Sequence, residues 1–418
     1  MPAIYYIIIK LYYFSIHIAS PFNKKAQLWI RGREGIFEDL QKSLNRKDRI
    51  AWFHCASLGE FEQGRPVIEK FREQYPDIRI LLTFFSPSGY EIRKNYSGVD
   101  HIFYLPPDSP RNSKRFIDIV DPEVVYFIKY EYWYYYLKRL KMLNVPVFLI
   151  SAIFRKDQIF FRWYGSWYCK LLKYFSHLFV QNESSKELLD TIRIKNVTVS
   201  GDTRFDRVAS SAAEPVRVPV AESFIKDKMT LIAGSTWNKD EEIITEYINK
   251  TDNDIRFIIA PHEISKDNIN RLHKSIKRPC LLFSEAEKDN VREAQVIIID
   301  NIGMLSSLYQ YGSIAYIGGG FGKGIHNILE AACFGIPVFF GPIHDKFNEA
   351  CELISKKGAF CIRNYNEFKD LLDRLLKDDL LLKESGKTAG EYVQKNVGAT
   401  DIILKKTIKY LNHPASGT

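Results

Sequence analysis

The sequence predicts an α/β protein of two Rossmann-like domains facing a cleft, preceded by a membrane-associated helix. Three observations predict it. From residue 50 onward, short β-branched or aromatic runs alternate with helical patterns. Those runs are apolar at successive positions, as expected for strands of a parallel sheet covered on both faces by crossover helices. The alternation is interrupted once, and about 20 apolar and aromatic residues precede it, enough to cross a bilayer if helical.

That first segment, "MPAIYYIIIKLYYFSIHIASPF", is assigned to residues 1–22. Lys10, His17 and Lys24 recur every seven residues and would form one polar stripe on a helix. The stripe favours a helix lying in the membrane interface, with Tyr5, Tyr6, Tyr12 and Tyr13 at headgroup depth. A buried first helix of the domain is the alternative. No small-residue cleavage site follows a clean apolar core, which argues against a removed signal peptide. Lys24, Lys25, Arg31 and Arg33 come directly after, and positive charge there keeps the remainder on the cytoplasmic side.

The first α/β domain is expected over 23–208, with strands in "IAWFHCAS", "IRILLTFF", "HIFYLP", "VVYFIK", "VPVFLISA", "HLFVQN" and "VTVSG". Residues 209–228, rich in small residues, prolines and charges, read as a linker. The second domain, 229–395, repeats the alternation with "TLIAGST", "IRFIIAP", "CLLFS", "QVIIID", "SIAYIGGG", "PVFFGP" and "AFCIR". A last helix in 396–418 is free to pack back on the first domain. Ligands of such sheets bind beyond the carboxyl ends of the strands, which places the expected site between two facing domains.

Composition narrows the chemistry. The 418 residues are 46% hydrophobic, which excludes a disordered chain, and 59 Lys and Arg against 50 Asp and Glu give a net charge of +9. A basic surface favours anionic partners: phosphates, an acidic membrane or nucleic acid. The six cysteines form neither a C-x-x-C pair nor a zinc-spaced cluster, which fits a reducing compartment and no structural metal.

The densest motif runs from Ala315 to Ala350, "AYIGGGFGKGIHNILEAACFGIPVFFGPIHDKFNEA". A strand ends in Gly318-Gly319-Gly320 and a helix is expected to start near His326-Asn327, an arrangement whose amides suit a phosphate. The loop cannot be aligned to G-x-G-x-x-G, and Lys323 is followed by glycine where a P-loop needs Ser or Thr. Glu330, one turn into that helix, could accept hydrogen bonds from both hydroxyls of a ribose, or could be a solvated helix residue. Glycosyltransferases of the GT-B type use this arrangement. Retaining members often carry a second glutamate eight residues earlier, where this chain has Gly322, so inversion is the better fit. Direct displacement needs a general base.

Two glutamates of the first domain are candidates. Glu60 ends "HCASLGE", where Ser57-Leu58-Gly59-Glu60 also fits an [ST]-x-x-[DE] capping box. Glu131 lies in "YFIKYEYWYYY" among Tyr130, Tyr132 and Trp133; it reads either as a tuned active-site carboxylate or as a helix-starting glutamate.

In order, "FHCASLGE", "YEYW", "QNESSKELL", "GDTRFD", "AGSTWNKDEE", "PHE", "DNIGMLSSLYQYGSIAYIGGGF" and "GIHNILEAACFGIPVFFGP" make the chain resemble the 3-deoxy-D-manno-octulosonic acid (Kdo) transferases. These are inverting GT-B enzymes that move Kdo from CMP-Kdo to the lipid A precursor. The resemblance covers roughly residues 50–350. It implies Glu60 as general base and Glu131 as a second acidic residue on the acceptor side. It places Arg204 (usually lysine) at the donor phosphate or carboxylate, and Ser235, Thr236 and His262 on the donor side. Gly303 approaches the cytosine, Gly319, Asn327 and Asn348 bind the donor, and Glu330 binds its ribose. Ser57, Gly59, Arg155 and Arg162 fall to the acceptor. The chain departs from the pattern at Lys129, Tyr134, Ile153 and Trp237, mostly near the acceptor.

The resemblance further implies a CMP-Kdo donor, an anionic lipid A precursor as acceptor, the cytoplasmic face of the inner membrane as location, and no nucleic-acid partner. No cofactor is implied. CMP carries one phosphate and no D-x-D triplet is present, so metal-independent chemistry is expected. A different GT-B enzyme using a UDP-sugar, a retaining transferase or an epimerase, is the alternative; a non-catalytic membrane-associated binding protein on the same fold is another.

Overall fold

The computed structural model describes residues 2–287 and 290–411. Two compact units divide the chain: one runs to Arg207 and resumes at Val397, the other is Val208–Asn396. Each is built on a seven-stranded parallel sheet. Every one of the fourteen expected runs contains a strand.

In the first unit the strands are β1 (Ile50–Cys55), β2 (Arg79–Phe84), β3 (His101–Tyr104), β4 (Val124–Ile128), β5 (Val147–Ala152), β6 (His177–Val180) and β7 (Val197–Val199), in the spatial order 3-2-1-4-5-6-7. Side chains of β1 alternate between two cores. Ile50 and Trp52 join one cluster, and Ala51, Phe53 and Cys55 join the other. The order reverses between β1 and β4, the point where open α/β sheets take ligands.

The chain from Val397 adds the helix Ala399–Thr407, which lies against the helix Leu58–Gln74. Ile403 and Leu404 enter the core, each stabilising by about 1.5–3 kcal/mol. Asp206 fixes the start of this helix by accepting from the amides of Gly398 (2.6 Å) and Thr400 (2.9 Å). Tyr126 donates to Thr407 at 2.9 Å near its end.

The N-terminal helix, Pro2–Ala19, is long and apolar enough to cross a membrane. Its tyrosines meet side chains of the first domain. Tyr5 donates to Asp108 at 2.6 Å, Tyr13 packs 5.2 Å from Trp29, and Tyr12 stacks on Phe85 at 6.1 Å. The sequence gives composition but not partner, and these rings find aromatic partners on the domain. The opposite face carries Ile4, Ile7, Ile8, Leu11, Phe14 and Ile18, exposed by 53–64%. Their i, i+3, i+4, i+7 spacing makes one apolar stripe.

In the second unit the strands are β8 (Thr230–Thr236), β9 (Arg256–Pro261), β10 (Cys280–Leu282), β11 (Val296–Ile298), β12 (Ile314–Ile317), β13 (Val338–Phe340) and β14 (Ala359–Cys361). Their order is 10-11-9-8-12-13-14, so the reversal falls between β8 and β12. The stretch 209–228, expected as a linker, contains helix. It holds the end of the helix Thr203–Ala213 and the helix Pro219–Ile225. Its alanines and serines tolerate a helix without marking a periodic face, and Pro219 suits a first helical turn.

Candidate active site

At the reversal point of the first unit, β1 runs into Ala56-Ser57 and the helix that begins at Leu58. Glu60 sits in its first turn, half-buried. Ser57 is the cap residue but makes no capping bond to a backbone amide; its hydroxyl donates instead to the Glu60 carboxylate. The reciprocal bonds of a capping box are thus not formed, and Glu60 is oriented by a hydroxyl. Gly59 beside it is exposed.

β4 ends next to β1 and leads into Lys129, Tyr130 and Glu131. Lys129 holds a left-handed φ of 69°. Burial lowers its ammonium pKa, opposed by Glu60; Arg204 and Arg155 lower it further and Asp202 raises it. One charged cluster therefore gathers residues from the ends of β1, β4, β5 and β7. Tyr130, its phenol raised by burial, hydrogen-bonds Arg155, which is otherwise exposed. Arg204 is gripped by Asp202, with Nε at 2.8 Å and Nη2 at 2.7 Å. Arg162 is exposed and donates to the Asp157 carbonyl at 3.3 Å, beside Trp163, which is 93% exposed.

Glu131 is not at a helix start. It is 6% exposed and accepts at one oxygen from Trp133 Nε1 at 2.5 Å, with His54 Nε2 at 2.9 Å. His54 was not singled out from the sequence, although an imidazole in a strand buried on both faces signals a built hydrogen-bond partner.

In the second unit the reversal point is framed by an acid that the sequence reading also passed over. Asp240, 1% exposed, accepts from Tyr316 at 2.6 Å, from the Gly319 amide at 2.9 Å and from the Trp237 amide at 2.9 Å. It ties the end of β8 to β12 and the glycine loop, and burial raises its pKa. The Gly319 amide is thereby taken by the protein rather than free for a phosphate. Gly318 is required sterically: a Cβ there would lie 2.2 Å from the Ser235 carbonyl oxygen. Ser235 itself has φ 52°. Thr236, expected at the donor, is 1% exposed and donates to Glu241 at 3.1 Å.

His262 follows β9, is exposed, and stacks with both Trp237 (4.4 Å) and His326 (4.7 Å). Trp237 Nε1 donates to His326 Nε2 at 3.2 Å. Burial and His262 lower the pKa of His326. The helix expected near His326-Asn327 begins at Leu329 and ends at Ala332. Asn327, just before the cap residue Ile328, accepts from the Leu329 amide at 3.3 Å and donates to Glu330 at 3.0 Å. Gly303 lies exposed after β11 with φ 96°, and Asn348 is exposed at the start of the helix Asn348–Ser355. Ser57, Gly59, Glu60, Glu131, Arg155, Arg162 and Arg204 thus belong to the first unit. Ser235, Thr236, His262, Gly303, Gly319, Asn327, Glu330 and Asn348 belong to the second.

Residues 30–207 match the family described as 3-deoxy-D-manno-octulosonic-acid transferase (kdotransferase). The 3-deoxy-D-manno-octulosonic acid transferase of Aquifex aeolicus is 30% identical over 365 residues, covering 85% of this chain and 95% of the relative. The Rickettsia bellii protein of the same name is 26% identical, covering 96% and 99%. Among solved structures, UDP-GlcNAc 2-epimerase from Neisseria meningitidis superposes with a TM-score of 0.61 at 15% identity, covering 87% of this chain and all of its own. A glycosyltransferase from Rickettsia africae gives 0.58 at 14%, covering 88% and 100%. These two share the GT-B fold. The sequence likeness goes further than fold: the chain belongs to the 3-deoxy-D-manno-octulosonic acid transferase family of glycosyltransferases.

Proposed function

We propose that the protein transfers Kdo from CMP-Kdo to the lipid A precursor with inversion, releasing CMP, on the cytoplasmic face of the inner membrane. The observation that carries the reading is the placement of Glu60: a half-exposed carboxylate beyond the carboxyl end of β1, oriented by the Ser57 hydroxyl instead of spent on a helix cap.

In this reading Glu60 takes the proton from the acceptor hydroxyl as its oxygen bonds to the anomeric carbon of Kdo. The bond from that carbon to the CMP phosphate oxygen breaks, and CMP leaves with the electron pair. Attack from the face opposite the leaving group inverts the centre. Glu131 accepts from the acceptor and fixes its approach. Arg204, held by Asp202, and the neighbouring Lys129 supply positive charge for the donor's phosphate and carboxylate. In the second unit Asn327 and Glu330 hold the ribose end of CMP, Gly303 lies at the base, and Ser235, His262 and Asn348 complete the donor contacts. A single phosphate on the leaving group makes a divalent clamp unnecessary, so the reaction is proposed to be metal-independent.

An anionic glycolipid acceptor suits the exposed Arg155 and Arg162. The apolar stripe Ile4–Ile18 supports a helix that lies in the membrane interface, since its other face is taken by the domain. Thermal-shift titration separates this reading from a UDP-sugar enzyme: CMP is expected to stabilise the protein and UDP is not. Stabilisation by UDP alone would overturn the donor assignment.

A further inference from the structure

Glu131 stands in a chain of buried hydrogen bonds that the proposed reaction does not yet use. His54 is 0% exposed, with Nε2 2.9 Å from Glu131 Oε2 and Nδ1 2.8 Å from Thr83 Oγ1. Trp133 Nε1 donates to the same Glu131 oxygen at 2.5 Å, and Trp52 Nε1 donates to Thr83 Oγ1 at 2.7 Å. Register explains the gathering, since His54 on β1 pairs with Thr83 on β2 and Phe127 on β4. An indole N–H can only donate, so the direction of the chain is fixed at both ends.

The protons can then be assigned. Thr83 Oγ1 accepts from Trp52 and has one hydrogen of its own. His54 Nδ1 is 2.8 Å away, closer than the Phe53 carbonyl at 3.4 Å. With the Thr83 hydroxyl donating to Nδ1, the imidazole carries its hydrogen on Nε2 and donates it to Glu131. Glu131 Oε2 thus accepts two N–H bonds, which together fix the direction of its carboxyl group. The other tautomer, with Nδ1–H directed at the Thr83 carbonyl at 3.1 Å, would let Nε2 accept from Trp133 Nε1 at 3.2 Å, but that indole N–H lies nearer the Glu131 oxygen, at 2.5 Å, and the bare Nε2 lone pair would face the same oxygen at 2.9 Å. Rings of Phe127 (5.5 Å) and Trp133 (6.4 Å) flank the imidazole, and in so dry a setting each bond counts for more.

We infer that His54 is a positioning residue: an Nε2–H donor that, with Trp133, holds the Glu131 carboxyl group in one rotamer. The inference rests on reading Glu131 as the acceptor-side acid. A core role alone would require only a side chain of that volume, whereas this role requires a donor at the Nε2 position.

The test is steady-state kinetics with CMP-Kdo and a lipid A precursor on His54→Leu, His54→Gln, Trp133→Phe and Glu131→Gln, with CMP affinity measured alongside. His54→Leu is expected to lower kcat about 100-fold while the KM for CMP-Kdo stays within about threefold. His54→Gln, whose amide nitrogen reaches the Nε2 position, is expected to keep a tenth or more of the parent kcat. Trp133→Phe, which keeps an aromatic ring and removes the second donor, is expected to lose about tenfold. Equal losses in the Leu and Gln variants, or parent kcat in His54→Leu alongside an impaired Glu131→Gln, would overturn the role of His54. Parent turnover by Glu131→Gln would instead sink the reading of Glu131 on which it rests. Should His54→Leu fail to fold, His54→Gln and Trp133→Phe still decide the matter: loss of nearly all turnover in the first with none in the second contradicts the proposal.

Discussion

The two sheets reverse their strand order in the same way but furnish the reversal point differently. In the first unit it is crowded with titratable side chains: Glu60, Glu131, His54 and Lys129, aligned by hydroxyls, indoles and one another. In the second the acids Asp240 and Glu241 are buried behind the backbone they organise, beside a glycine loop and a cluster of stacked rings that includes the exposed His262. In the proposed reading one architecture serves proton transfer in one copy and recognition of a flat, anionic ligand in the other. The difference lies in which residues follow the strands, not in the strands.

The sharpest way to break the comparison is Glu60→Gln. The amide is isosteric, so folding and CMP affinity are expected to hold while turnover falls about 10²–10⁴-fold; kcat and a CMP titration on the same preparation check both. In the second unit the corresponding change is Gly318→Ala, whose Cβ would collide with the Ser235 carbonyl. CMP binding is expected to weaken about tenfold or more as the loop is displaced, read by isothermal titration, with amide exchange of β1 to β7 unchanged.

Both reversal points were only partly legible in the sequence. The strands were, because fully buried parallel strands are written as apolar runs; for Glu60 the motif left cap and base both open, and the bond from the Ser57 hydroxyl argues only against the cap. His54 and Asp240 were not legible. Each lies inside a quoted motif, but its role depends on Thr83, Glu131, Tyr316 or Gly319, residues up to 79 positions away. The bond from the Thr236 hydroxyl to Glu241, five residues on, was equally unwritten in the motif. The docking of the N-terminal tyrosines was invisible because Asp108 is about a hundred residues distant.

The two ends of the chain in the first unit offer a smaller contrast. Asp108, under the N-terminal helix, has its pKa pushed up to about 6 by burial, while burial together with Lys406 and Lys409 holds His177, near the C-terminal helix, down at about 4. A raised carboxyl binds its proton more tightly when folded, so its contribution is present at low pH and is lost as pH rises through 6. A lowered imidazole must stay neutral, so its contribution is lost as pH falls from 6.5 toward 4. Acidification across this window is therefore expected to tighten the first helix and loosen the last, by on the order of 1–3 kcal/mol each. Hydrogen exchange of 5–19 and 399–407 at pH 4.5 and 7 reads the opposite signs; parallel changes would refute the contrast. Tyr5→Phe should cost the N-terminal helix about 1 kcal/mol by removing its bond to Asp108, visible as faster exchange of that helix alone. Excess chelator is expected to change the transfer rate of either reversal point's chemistry not at all, and loss of activity in EDTA would contradict the metal-independent reading.

The most direct measurement is mass spectrometry of a tetra-acylated lipid A precursor incubated with CMP-Kdo and the purified protein, with the Glu60→Gln variant in parallel. The account predicts acceptor carrying added Kdo with the parent and acceptor unchanged with the variant. An unmodified acceptor with active, CMP-binding parent protein, or equal product from both, would contradict it.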